Sequence, residues 1–193
     1  MDDLALKRMF DTGRSHGHWL AKPVSETLLR QVYDLVKLAP TSVNCQPARF
    51  TFVITEAAKA RLLPAMAPAN AEKVLHAPAT VIVATDSRFH EHLPRLFHHR
   101  PEISDLFAEN AALARETAER NATLQGGYFI LAARALGLDC GPMSGFEKAQ
   151  VDAEFFPDGR LHSNFLINLG HGDPEKLFPR LPRLSSEEAC QFL

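Results

Sequence analysis

The chain has only three cysteines in 193 residues, Cys45, Cys140 and Cys190. An odd number at such wide spacing excludes a disulfide framework. No apolar run approaches the ~18–20 residues that a membrane-spanning helix needs. A basic excess is missing too: the formal charge of −2 gives no electrostatic footprint for nucleic acid or an anionic membrane. There is no GxxxxGK(S/T) loop, and the one G-x-G, Gly170-His171-Gly172, runs into Asp173-Pro174 without opening a Rossmann-type helix. The nine histidines form no HExxH, and no cysteine pair stands at zinc-ribbon spacing, so no metal site is expected. A GxSxG elbow is also absent. Cys45 has neither a helix terminus nor a fixed base beside it and reads as an unreactive thiol. The N-terminal stretch "MDDLALKRMF" lacks a signal-peptide core and a cleavage site, and a cytoplasmic location is expected.

What is present is an ordinary globular balance, 46% hydrophobic and 23% charged, enough for one domain over residues 1–193. Ser25 is placed to cap a helix whose apolar residues Leu28, Leu29, Val32, Leu35, Val36 and Ala39 recur at helical spacing until Pro40. "FTFVIT" (50–55) and "ATVIVATD" (79–86) read as strands, the second buried on both faces. Residues 56–67 and 70–76 read as helical, and 87–103, rich in His, Arg and Pro, as an irregular lid. A long helical pattern runs from Ser104 to about Leu136, ended by Gly137. Its second half is apolar on most sides and must pack centrally or against another subunit. Gly126-Gly127 inside it imply close backbone packing. A strand (138–140), a helix (147–154) and a strand (164–170) follow. The fold class is α+β, a mixed sheet flanked by helices around a long central one. Asn121-Ala-Thr123 matches a glycosylation sequon but falls within the helical pattern.

Polar segments recur between these elements: "GRSHGHW" (13–19), "PTSVNCQP" (40–47), "NAEK" (70–73), "GPMSGF" (141–146) and "RLPRLS" (180–185). The second crowds Thr41, Ser42, Asn44 and Gln46 into six positions. A turn needs one or two such groups, so four imply a ligand with many neutral polar edges.

Taken in order, these segments resemble the FMN-dependent nitroreductase family over nearly the whole chain. The family's Arg-Ser motif ahead of an aromatic is matched by Arg14, Ser15 and Trp19. Its P-(S/T)-(S/T)-x-N-x-Q-P loop is matched by Pro40–Pro47, its Asn-x-x-Lys by Asn70 and Lys73, and its P-x-x-G-F by Pro142, Gly145 and Phe146. Leu38–Pro47, Gly137–Phe146 and Arg180–Cys190 are similar to the malonic semialdehyde reductase branch, which acts in pyrimidine degradation. The resemblance implies a nitroreductase-like homodimer with FMN at the subunit interface and NADH or NADPH as hydride donor. Arg14, Ser15, His16 and Arg183 would hold the phosphate; Thr41, Ser42, Asn44 and Gln46 would meet flavin or ribityl atoms. Asn70 would meet the pyrimidine edge, and Pro142, Met143 and Ser144 would line the approach to Gly145. Lys73 would lie near flavin N1 and O2, where charge accumulates on reduction, and the Gly145 N–H would approach N5; these two are the catalytic assignments. Gly17 and Ser185 stand where many members carry a second basic residue, which implies a phosphate grip that is either weaker or assisted by His16 and His18. The favoured reaction is reduction of malonic semialdehyde to 3-hydroxypropanoate, with Arg88, Arg95 or Arg100 as reader of the substrate carboxylate. A general nitroaromatic, quinone or flavin reductase is the first alternative and a non-catalytic flavin-binding module the second.

Overall fold

The computed structural model describes residues 6–193. In chain order the elements are a π-helical turn (Lys7–Asp11), α1 (Glu26–Val36), β1 (Ala48–Val53), α2 (Glu56–Leu62), α3 (Pro68–His76), β2 (Ala79–Asp86), α4 (Leu93–Leu96), α5 (Ile103–Glu109), α6 (Ala111–Ala135), β3 (Asp139–Met143), α7 (Lys148–Phe155), β4 (Leu161–Gly170) and, in the tail, α8 (Ser186–Ala189). None of the helices among these residues is long and apolar enough to cross a membrane.

The four strands form one sheet in the order β1-β2-β4-β3. Every pairing within it is antiparallel, so the α+β class holds while the mixed sheet does not. The one parallel pairing among the described residues is an isolated bridge, Ser15 to Cys140, outside the named strands. β2 is central and all eight of its residues are buried, as its unbroken apolar run requires.

α1 and α6 cover one face of the sheet. Leu29, Val32 and Val36 of α1 meet Phe129 and Ala133 of α6 above Val81, Val83 and Ile167; full burial of each large apolar side chain contributes about 1.5–3 kcal/mol. The Ser25 hydroxyl accepts from the Leu28 N–H at 3.2 Å and sets the start of α1. The opposite face is filled by Leu62, Met66, Val74, Val151 and Phe156 against Ile82 and Leu166.

The long helical pattern is broken at Asn110. Its side chain accepts from the Leu113 N–H at 3.0 Å, capping a new helix where the sequence pattern runs on. Gly126 faces β4 so closely that a Cβ there would run into the Phe165 ring, whereas Gly127 opens onto free space. Close packing therefore holds for the first glycine only. Phe129, Ala132 and Ala133 are buried, but Leu124 and Tyr128 remain exposed beside Gly127 on the outer face. Asn121 is buried, with its side chain spent on the Thr117 carbonyl and the Ser42 N–H, so the sequon is closed to modification.

Segment 87–103 is more ordered than its composition indicates. Phe89–His92 form a 3-10 turn that leads into α4, and Phe89 and Leu93 are fully buried beside Phe107. Its root is an ion cluster. The Asp86 carboxylate, 1% exposed, accepts from Arg49 at 2.6 Å and from Arg160 at 2.9 and 3.0 Å. It also accepts from the Arg88 N–H at 2.9 Å, and Arg160 reaches on to Glu91 at 3.0 Å.

Candidate functional site

The polar segments gather at two places, one at each edge of the sheet. At the β3 edge, Ser15 bridges Cys140, and the His16 N–H donates to the Cys140 carbonyl at 2.9 Å. The stem of Lys73 lies over Gly17: a Cβ at Gly17 would meet its Cε at 3.5 Å. The Lys73 ammonium donates to Asn70 Oδ1 at 3.1 Å, and Asn70 Nδ2 donates to the Gly145 carbonyl at 3.1 Å. That carbonyl also accepts from the Ala67 N–H at 3.1 Å, while the Gly145 N–H makes no hydrogen bond among the described residues. A Cβ on Gly145 would come within 2.6 Å of the Asn70 amide, so glycine is required for the close approach of α3. Pro142 and Ser144 are exposed beside it, whereas Met143 packs into the core on the α7 side. The structure thus brings residues 14–17, Asn70, Lys73 and Gly145 together at one edge, with Pro142 and Ser144 exposed beside them and His16 and Met143 turned inward.

The loop 40–47 lies elsewhere. It leads into β1, the opposite edge strand, so three interstrand spacings of ~4.8 Å, roughly 14 Å, separate the two edges. Its polar groups largely organise the loop. Thr41 Oγ1 accepts from the Gln46 N–H at 3.2 Å, Gln46 Nε2 donates to Asn44 Oδ1 at 2.8 Å, and Asn44 Nδ2 donates to the Leu96 carbonyl at 2.9 Å. The Ser42 N–H donates to Asn121 Oδ1 at 2.8 Å. Val43, Asn44 and Gln46 all have positive φ (48°, 52° and 39°), a strained run without glycine that holds Ser42 and Asn44 outward.

Two expectations change. His16 is not a surface cation: its side chain is 6% exposed and Nε2 turns to Asp139 Oδ1 at 3.6 Å. The ring fills the space that Gly172 leaves by lacking a Cβ, and Gly170 likewise seats the Trp19 indole and Pro78. The G-x-G dismissed as a phosphate loop is therefore the floor beneath "GRSHGHW". Arg183 bonds within its own segment. Its guanidinium donates to the Leu181 and Pro182 carbonyls of its own exposed tail, and Arg14 donates to the Phe178 carbonyl at 2.6 Å. Arg180 is the residue that ties the tail back, donating to the Asp11 and Gly13 carbonyls at 2.6 and 3.1 Å; the sequence reading missed it.

Of the three lid arginines, Arg88 faces Glu91 at 3.8 Å and Arg100 faces Glu102 at 3.0 Å. Arg95 has no carboxylate partner among the described residues and lines a cleft of about 830 Å³ with Gln46 and Gln125. Cys45 is buried, and burial pushes its thiol up to about 11, in line with an unreactive side chain.

Burial holds the His16 pKa below its ordinary 6.5; the Asp139 carboxylate opposes this and the Arg14 and Arg134 charges reinforce it. The unfolded chain therefore takes up a proton first as pH falls, so this share of stability is complete above pH ~6.5 and shrinks below it. Urea titrations at pH 7.5 and 5.5 are expected to show a smaller loss for His16→Gln than for the wild type. Equal losses would mean that the ring accepts its proton in place. His92 and His171 are also held low by burial, so part of the acid sensitivity persists in the variant.

Residues 14–171 match the model of the Nitroreductase family. A protein of Cupriavidus pinatubonensis named "Putative NADH dehydrogenase/NAD(P)H nitroreductase" is 54% identical over 189 residues, 97% of this chain and 96% of its own. HadB of Ralstonia pickettii, which carries the same description, is 52% identical over the same shares. Among solved structures, a "putative nitroreductase in complex with FMN" from Exiguobacterium sibiricum superposes with a TM-score of 0.88 at 23% identity, covering 97% of each chain. CLA-ER, an enone reductase, superposes with a TM-score of 0.84 at 20% identity over 100% of this chain and 99% of its own.

Proposed function

The chain belongs to the nitroreductase family, and from that premise we propose that it is a cytoplasmic FMN-dependent NAD(P)H oxidoreductase. The observation that carries the reading is the free Gly145 N–H beside a lysine with no carboxylate partner among the described residues, Lys73. A backbone donor and a fixed cation suit the nitrogen-rich, anion-prone edge of a flavin ring, and the neutral Asn70 amide suits its pyrimidine side. Bound there, FMN would supply the hydride chemistry between a nicotinamide donor and an acceptor, the two occupying the site in ping-pong order. Asn70 touches both catalytic residues: it accepts from Lys73 and donates to the Gly145 carbonyl, which holds α3 against the Gly145 segment. Arg14 and Ser15 stand at the end of this surface for the phosphate. His16 serves beneath it as a buried support.

The site is read as completed by a second copy. Ser42 and Asn44 are exposed on the opposite sheet edge, where in a homodimer they would help to hold the flavin of the partner. Exposed apolar groups support an assembly: Leu124 and Tyr128 on α6, and Phe178, Leu181, Leu184 and Phe192 in the tail, the last 91% exposed. The favoured acceptor is malonic semialdehyde, on the resemblance noted above and on Arg95 as the lid arginine left free for a carboxylate. Nitroaromatics and quinones are the competing acceptors.

In the FMN-loaded protein, Lys73→Ala is expected to slow reduction by NADPH roughly 100- to 1000-fold with little change in melting temperature, because the ammonium is exposed and its one partner among the described residues is Asn70. Equal loss of stability and of reduction would make Lys73 a structural residue. Reoxidation by malonic semialdehyde against a quinone, measured on the reduced protein, separates the two acceptor classes. Failure to take up FMN would remove the reading.

A further inference from the structure

A large cavity adjoins this surface through Lys148, three residues beyond Gly145. β3 pairs with β4 only as far as Leu166, and beyond it the Ser163 N–H is tied to α7 through Asp152 Oδ1 at 2.7 Å. The start of α6 crosses opposite, and Asn164 donates to Thr123 Oγ1 at 2.8 Å, closing one end. The space enclosed is about 990 Å³, several times what a three-carbon aldehyde fills and within the range of sites for large organic ligands.

Its chemistry is divided. Phe107 and Ala108 of α5 and Ala111, Ala114 and Ala118 of α6 supply its apolar lining. Arg115 and Lys148 also line it, both exposed and both without a carboxylate partner among the described residues. Glu119 is the one acidic residue in the lining, and the Arg120 guanidinium is already paired with Glu116. An apolar lining with two cations that have no carboxylate partner among the described residues fits an aromatic base joined to a diphosphate. Lys148 follows Gly145 by three residues, a span of at most ~11 Å even if fully extended, about the reach of one ribose phosphate.

We propose that this cavity holds the adenosine diphosphate half of the nicotinamide donor, with Lys148 and Arg115 on the phosphates and the alanine lining of α6 against the adenine. The inference rests on the oxidoreductase reading above and adds to it the residues that distinguish a dinucleotide from a bare nicotinamide nucleotide.

Calorimetric titration with ADP-ribose tests it without turnover. The FMN-loaded wild type is expected to bind ADP-ribose, and Lys148→Gln and Arg115→Gln to weaken binding about tenfold each. Ala111→Glu places a repelling charge at the first position of α6, where acidic residues favour the helix, so it should also weaken binding while folding normally. In the same variants the KM for NADH or NADPH should rise in parallel, and that for reduced nicotinamide mononucleotide should not move. No ADP-ribose binding by the wild type, or unchanged binding in all three variants, overturns the inference even if NADPH reduces the protein normally. A chain that takes up no FMN yet loses ADP-ribose in these variants would remove the oxidoreductase reading and support the cavity assignment.

Discussion

Gly172→Ala is expected to destabilise the protein by roughly 2–3 kcal/mol and to loosen the whole N-terminal motif. The added methyl would land inside the His16 ring. That ring cannot swing away: its backbone is held by the Cys140 carbonyl, its carbonyl presses on Gly141, and Trp19 lies 6.2 Å from it. Since Gly17 rests on the Lys73 stem, displacement of His16 carries over to the lysine two elements away. Both urea stability and FMN retention on gel filtration should therefore fall together. Gly127→Ala is the matched control, because nothing stands within 4 Å of its would-be Cβ and alanine favours a helix interior by ~1 kcal/mol over glycine. A Gly172→Ala protein as stable as the wild type would show that the ring has a second seat.

Asp86→Asn should cost about 3 kcal/mol, the lower end for breaking a buried ion pair. The carboxylate is 1% exposed, but the Arg49 and Arg160 side chains are 30% and 24% exposed, so water relieves part of the charge left behind. Burial alone would raise the Asp86 pKa; hydrogen bonds from Arg160 and the Arg88 N–H, with the Arg49 charge, outweigh it and hold the group below its ordinary 3.8. A depressed carboxylate stabilises the fold above the unfolded pKa and loses that contribution as pH falls through the lower folded value. The wild type should thus weaken steeply below pH ~4 and the variant should not share that step. Because Arg160 also grips Glu91, proteolysis in 87–103 should accelerate in the variant. Unchanged cleavage would show that Phe89 and Leu93 alone anchor the segment.

The parts of this molecule legible in the sequence are those fixed by local chemistry. β2 occupies 79–86 as read, because an unbroken apolar run of that length has one place to go, the middle of the sheet. Ser25 caps α1 and Pro40 follows its end. The long helix was misread at Asn110, where a side-chain cap overrides a periodicity that continues on both sides. Pro64 was tolerated because it falls in a 3-10 turn after α2 has ended. What the sequence hid depends on contacts between distant residues. Gly170 and Gly172 look like a failed nucleotide loop until Trp19 and His16 are seen resting on them, some 150 positions away. The same distance concealed the fate of His16, a polar residue in a polar stretch that nonetheless folds inward. The cluster of Asn70, Lys73 and Gly145 was placed by motif order, and its mutual bracing became visible only in three dimensions.

The strained loop and the lysine surface occupy opposite edges of one sheet. In a two-copy site they would face each other only across copies. Substitutions at Ser42 or Asn44 would then be selected against the chemistry of Asn70 and Lys73 on another molecule encoded by the same gene. Such positions would change together over evolution while remaining far apart within any single chain. A map of correlated substitutions, read as distances in one monomer, would draw these two edges falsely together, and its error would be a drawing of the dimer.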